Sequence, residues 1–408
     1  MAFKLFYFIF LIVSLFYPTN MAFGPLSIRH ILSIIVLALC VYEDGLKIDK
    51  FLKWYFGFLF FYTFIEVATG YSSIVFPKLL GTYLASISLY LATKIMIEKH
   101  ESGTLIIYTL VALGLLNAIE VIGQFFGSPI AQALPQLLHI QISEEDLAQF
   151  EKNDFYGYNI GGLMGAVSSG YFLSATSVLA LYNQKDKISV FNWIVFAIIF
   201  LALFLVQERS GLFFGLLCAL LYYAFISSQN QKALFSSIFI FILAAIFISR
   251  YLSSHISFED MRYSSTGVDD ERRVRIAIDA IKWLFSYPAG GANYFYKMGG
   301  LYPHNVIINA FLYGGIIGGC ILIEILFKQL FKIGDIMYSF YKKEKYSSLL
   351  LACCVAYLCY TFNSFFHNYS LVFGGETIFL LWAMIGSLKD MKDNSSEDID
   401  LEEETDAD

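Results

Sequence analysis

The sequence predicts an all-α polytopic membrane protein with about 12 transmembrane helices and two longer outer loops. Three observations carry that expectation. Of the 408 residues, 58% are hydrophobic and only 15% charged, with a mean hydropathy of +0.63, a composition that belongs in lipid. Apolar runs close to the roughly 20 residues needed to cross a bilayer recur along the chain. The basic residues also sort by side. With an inside N-terminus, sixteen of the twenty lysines fall inside and all seven arginines outside, and every short inner loop meets the positive-inside rule.

The runs centre near 3–18, 28–43, 52–69, 79–97, 103–125, 161–182, 189–206, 210–227, 233–251, 305–329, 346–366 and 371–388. The first has the Lys4-then-apolar look of a signal peptide. No clear small-residue cleavage site follows it, so it reads as an uncleaved helix. An even number of spans returns the C-terminus to the inner side. The chain then divides into a transmembrane domain, 1–388, and a tail, 389–408. The tail holds ten acids and two lysines, a net −8, so the net −7 of the whole chain hides a remainder of +1. Its composition predicts a disordered extension. All six cysteines fall within the runs, and none has metal-ligand spacing, so neither a disulfide framework nor a zinc site is expected.

Two outer segments, 127–160 and 252–303, are too long to be turns, and loops of that length usually carry function. The first has a net charge of −4 from Glu144, Glu145, Asp146, Glu151 and Asp154 against Lys152. That charge repels a phosphate-rich partner. Ser143 to Phe150 fits a short helix capped by Ser143. The second loop opens an amphipathic stretch at Glu271-Arg272-Arg273-Val274-Arg275. Val274, Ile278, Ile281 and Phe285 recur at helical spacing, a face for membrane or protein. Arg272, Arg275, Asp279 and Lys282 share another face, where Arg275 and Asp279 can form a plain surface pair. Pro288, Gly290 and Gly291 end the helix in a turn.

The chemistry centres on Tyr302-Pro303-His304-Asn305. His304 precedes Gly315 by eleven residues, about three helical turns, with Gly318 a turn further. This spacing puts the histidine and both glycines on one face, where glycine lets a neighbouring helix come close. The positive end of the helix dipole keeps the imidazole neutral, as a general base requires. A histidine that only caps a helix at the membrane surface gives the same spacing. Arg209, in Gln207-Glu208-Arg209-Ser210-Gly211, lies in a hinge short enough to hold it near the membrane plane, where an arginine is costly. Pairing with Glu208 or snorkelling is its plain structural reading. Arginine grips phosphate through a planar fork, whereas lysine is a point charge. Arginine on the outer face therefore points to a lipid-linked phosphate. Glu120 and Gln124, one turn apart, can line the same site or simply face water.

His304-Asn305 followed by Gly315-Ile316-Ile317-Gly318 resembles the HN-x9-GxxG signature of the O-antigen ligase and polymerase superfamily. Arg209-Ser210-Gly211 looks like that family's arginine–small-residue motif, and Arg273 through Ala280 with Pro288-Ala289-Gly290-Gly291 is similar to its stretch ahead of the histidine. Ala277 stands where the family has Trp, so the family's arginine matches either Arg273 or Arg275. Gly162-Leu163-Met164-Gly165 through Ser169-Gly170 resembles a weaker pattern in helix 6. The resemblance covers roughly 105–330. It implies a C-type glycosyltransferase fold and a multi-pass protein of the bacterial cytoplasmic (inner) membrane, both termini cytoplasmic and the site facing the periplasm. It also implies a polyprenyl-pyrophosphate-linked glycan as donor, and no metal or cofactor. By resemblance, Arg209 and Arg273 or Arg275 bind the pyrophosphate, and His304 takes the proton from the acceptor hydroxyl. Asn305, Glu120 and Gln124 are candidates for acceptor contact or site support.

Two enzymes share these motifs. A polymerase joins lipid-linked repeat units, and a ligase transfers finished glycan to lipid A core. By resemblance, a polymerase has two sizeable outer loops with arginines. This chain has two such loops, with arginine only in the second. Both are short for a protein-glycosylating ligase, which favours a polymerase, with a chain-length regulator as its expected partner. A different class, a lipid-linked oligosaccharide transporter, would use intramembrane acids such as Glu66, Glu120, Glu324 or Glu376. No internal repeat of the inverted kind is seen. No Gly-rich phosphate loop occurs, and no nucleic acid is expected as a partner.

Overall fold

The structure is a computed structural model. It describes all residues except 1, 17–21, 24–25, 139–161, 165, 185–187, 207, 228–267, 302, 343–345, 367–370 and 406–408. Residues 22–23, 26, 74–75, 77, 135–138, 166–167, 209, 268–272 and 392–405 are described as backbone alone. The predicted span at 233–251 and the predicted helix from Ser143 to Phe150 lie outside the described residues. Each of the other eleven predicted segments falls on a described helix.

In chain order the elements are α1 (Ala2–Phe16), a two-residue antiparallel pair β1 (Ala22–Phe23) and β2 (Leu26–Ser27), α2 (Ile28–Asp44), α3 (Lys50–Ala68), α4 (Ser72–Lys78), a π-helical turn (Leu79–Tyr83), α5 (Leu84–Glu98), α6 (Gly103–Phe125) and α7 (Pro129–Leu138). They continue as α8 (Ala166–Ala180), α9 (Val190–Leu205), α10 (Arg209–Ser227), α11 (Val268–Ser286), α12 (Ala292–Lys297), α13 (Val306–Tyr341), α14 (Ser348–Ser364), a 3-10 turn (Leu371–Phe373) and α15 (Glu376–Thr405).

Among the described residues, five helices are long and apolar enough to cross a membrane: Lys50–Ala68, Leu79–Glu98, Gly103–Phe125, Ser210–Ser227 and Val306–Tyr341. Ala2–Phe16, Val190–Leu205 and Ser348–Ser364 are shorter apolar helices. By this measure the protein is an α-helical membrane protein. Local chemistry starts the helices. The Ser27 hydroxyl accepts from the N–H of His30, whose ring accepts from the N–H of Ser27 at 2.9 Å. The Asp49 carboxylate caps α3 through the N–H of Leu52 at 3.0 Å. Such caps satisfy N–H groups that a helix leaves open.

The helices pack in two linked groups. α5 lies against α2 and α15, and α3 lies along α13. α8 is held among α6, α9, α10 and α14. Charged residues occupy the bundle's two ends. At one end Asp44 meets Lys99 at 2.6 Å and Asp49 meets Lys94 at 3.0 Å. Hydrogen bonds from Lys99 and Lys47 hold the Asp44 carboxyl below its usual range. At the other end, where α2 begins, Arg29 meets Glu376 at 2.7 Å.

The helix that carries the apolar run near 305–329 extends to Tyr341. Past the predicted end of the transmembrane domain, α15 continues as helical backbone to Thr405. The stretch from Lys389 to Thr405 has no Gly or Pro to stop a helix already nucleated within the bundle.

Candidate functional site

The predicted site residues gather at the end of the bundle where Arg29 and Glu376 pair. At the start of α13, Asn305 is the N-cap. Its side-chain oxygen accepts from the N–H groups of Ile307 (2.9 Å) and Ile308 (3.2 Å), and its amide donates to the Phe365 carbonyl at 3.1 Å. Buried Asn309 donates to the Pro303 carbonyl at 2.8 Å. His304 therefore sits half-buried in a bend held from both sides. It is not itself a helix residue. Moreover, α13 is broken at Gly315, with φ 61° and ψ −167°. The expected single face carrying His304, Gly315 and Gly318 does not form, because the break resets the helical phase.

Each glycine has its own neighbour. A Cβ on Gly318 would lie 3.1 Å from the Cβ of Phe61, so this glycine admits α3. Gly315 admits the turn at Pro288–Gly291, and a Cβ there would collide with the Ala289 carbonyl oxygen. The turn takes up the hydrogen bonds that the break releases. Ile316 N–H donates to the Pro288 carbonyl at 3.0 Å, and Gly291 N–H to the Leu312 carbonyl at 2.8 Å. Backbone groups freed by a break need such internal partners.

Arg209 opens α10, and its side chain lies outside the described residues. Its neighbours are clear. Glu208 is buried against Gly170 of α8, and a Cβ on Gly211 would lie 3.0 Å from the Gly170 carbonyl oxygen. The first turn of α10 is thus pressed onto α8. Further along, Phe214 packs its ring 5.6 Å from Phe362 and 5.7 Å from Phe366. Asn305 also reaches this end of α14 through Phe365, so the His304 bend and the start of α10 share one support.

Gln124 is committed to structure. Its carbonyl accepts from Gly162 N–H at 2.9 Å, and its amide donates to the carbonyls of Ala131 (3.2 Å) and Gly162 (3.3 Å). Glu120 is buried one turn earlier. On α11, Arg273 is half-buried and Arg275 exposed.

Sequence reasoning named Glu66 and Glu376 only as acids of a transporter and did not find the partners of the polar groups at this end. Arg29 pairs with Glu376 and also donates to the Gly81 carbonyl in the π-helical turn at 3.2 Å. Glu66, fully buried, accepts from the Asn293 amide at 2.8 Å and from its backbone N–H at 3.3 Å, capping α12. Lys78 lies in an aromatic cage. Its ammonium is 4.7 Å from the centroid of Tyr313 and 5.0 Å from that of Phe373, with Tyr62 and Tyr83 within 5.9 Å. Burial pushes this ammonium down to about 8, against the pull of Glu66. Asn117 ties the Leu163 N–H (2.8 Å) to the Ser169 hydroxyl (3.0 Å), and Asn363 donates to the Ser174 hydroxyl at 2.9 Å. The signal for these was weak: single polar residues near the ends of apolar runs, with partners far away in sequence.

Among the described residues, no three His, Cys, Asp or Glu side chains are grouped as a metal site requires. No family model, no curated protein and no solved structure matches this chain.

Proposed function

We propose that this chain is a membrane-embedded, inverting glycosyltransferase of the O-antigen polymerase type, with twelve spans and both termini in the cytoplasm of a bacterium. It joins polyprenyl-pyrophosphate-linked repeat units at the outer face of the inner membrane. What supports this reading is that the His304 bend, the start of α10 and the helix bearing Arg273 lie at the same end of the bundle. His304 takes the proton of the acceptor hydroxyl as that oxygen attacks the anomeric carbon. The bond from this carbon to the phosphate oxygen breaks, and the lipid pyrophosphate leaves with the electron pair. Arg209 and half-buried Arg273, rather than exposed Arg275, stabilise the leaving charge where water is scarce.

The test is the surface polysaccharide profile of a deletion strain. The polymerase reading expects a single repeat unit on an otherwise normal lipid A core. Bare core, with long chains accumulating on the carrier lipid, would make the protein a ligase that transfers finished glycan. An unchanged profile rejects both. A second reading, a lipid-linked oligosaccharide transporter, is favoured by one observation: Glu66 and Glu376 are buried beside Lys78 and Arg29. It expects movement of the lipid-linked glycan with no new glycosidic bond.

A further inference from the structure

We infer that α11 is a membrane-surface helix, seated by its apolar row in the monolayer at the His304 end of the bundle. The helix has three distinct faces. Ala280 is fully buried, and Trp283 packs 5.2 Å from Phe295, so this face holds α11 to the protein. Arg275, Asp279 and Lys282 form an exposed polar face. Between them runs an apolar row open to the surroundings: Val274 is 60% exposed, Ile278 45%, Ile281 42% and Phe285 85%.

The occupant of that row follows from continuity with α13, which is long and apolar enough to span a bilayer. Just past its break, α13 exposes Ile316 and Ile317. The N–H of Ile316 is bonded to the carbonyl of Pro288, three residues beyond Phe285. The apolar row of α11 thus runs into the outward apolar surface of a spanning helix, at the height where the chain turns. A helix with one apolar and one charged face at that height lies in the interface plane, its apolar side about 5–10 Å into the boundary between headgroups and acyl chains. Arg275 and Lys282 are placed to extend toward lipid phosphates, and exposed Tyr287 is an interfacial residue type. This inference does not depend on the glycosyltransferase reading.

The structure also supplies a labelling route. Of the six cysteines only Cys320 is exposed, so Cys320→Ser gives a background that thiol dyes leave unlabelled. Single changes Val274→Cys, Ile278→Cys, Phe285→Cys and Asp279→Cys in the full chain would each carry an environment-sensitive fluorophore. The protein is then reconstituted in phosphatidylethanolamine–phosphatidylglycerol vesicles. Labels at 274, 278 and 285 should emit blue-shifted light and resist aqueous iodide. Lipids with a doxyl group near the headgroup should quench them more than lipids doxylated at the chain end. The label at 279 should be quenched by iodide. Water-like emission at the three apolar positions overturns the inference. So does a blue shift that no doxyl lipid quenches, which means protein covers the row. Stronger quenching from the chain end overturns it too, because the helix then lies in the bilayer core.

Discussion

The N–H of Ile316 donates to the carbonyl of Pro288 at 3.0 Å, so the break in α13 is closed by the loop that leads into it. Gly315 makes this possible, since its φ of 61° is costly for any residue with a side chain, and the Ala289 carbonyl fills the space a Cβ needs. Gly315→Ala should destabilise the protein by about 2–4 kcal/mol, from strain and displacement of the turn together. Thermal unfolding in detergent would register this as a clear fall in Tm. An unchanged Tm would mean that the turn is not seated in the break.

Arg29 and Glu376 should behave as a unit. Removing one partner leaves the other buried and uncompensated, at a cost of about 3–5 kcal/mol. Glu376→Gln and Arg29→Met should each destabilise by that order. The double replacement Arg29→Met with Glu376→Met should cost much less than the sum of the single changes. A double-mutant cycle on unfolding free energies measures the difference, and strict additivity would rule out the pairing.

Lys78 gives a pH dependence of definite sign. Its folded value, about 8, lies below the ordinary 10.5. Between these values the unfolded chain holds a proton that the folded chain has lost, so stability rises with pH across that window. Below about pH 8 the full cost of burying the ammonium is present. Lys78→Met removes this contribution. The gap in Tm between Lys78→Met and the wild type should therefore narrow from pH 8 to pH 10, and a constant gap would contradict the burial.

His304→Ala should abolish glycan transfer while the protein still inserts and accumulates, as read by in vitro polymerisation and membrane immunoblotting. Wild-type transfer by that variant would remove the general-base role. Arg209→Lys should lower transfer more than Lys282→Arg does, because a fork has been exchanged for a point charge. Equal, negligible effects of both would leave Arg209 as a snorkelling residue.

Much of the helical framework was legible because a bilayer imposes a length and a polarity on each segment. The turn at Pro288–Gly291 was legible for a similar reason, since those residue types allow little else. Long-range pairing was not. Regular helical spacing puts His304 and Gly315 on one face, and the φ of Gly315 is visible only once the loop is seen against it. Gln124 read as a possible site residue, whereas its amide is consumed by the backbone of Gly162. Arg29 reads in the sequence only as an outer charge, because nothing in its neighbourhood names Glu376 as its partner.

The hydroxyls of Tyr55 and Tyr83 donate to the carbonyls of Leu371 (2.8 Å) and Val372 (2.6 Å), and that of Ser86 to Gly374. These three acceptors belong to a short non-α stretch, and their donors stand on or beside α3 and α5. The chain is made from its N-terminus, so the donors exist before the acceptors emerge. The stretch that leads into α15 therefore finds its hydroxyl donors on segments made before it.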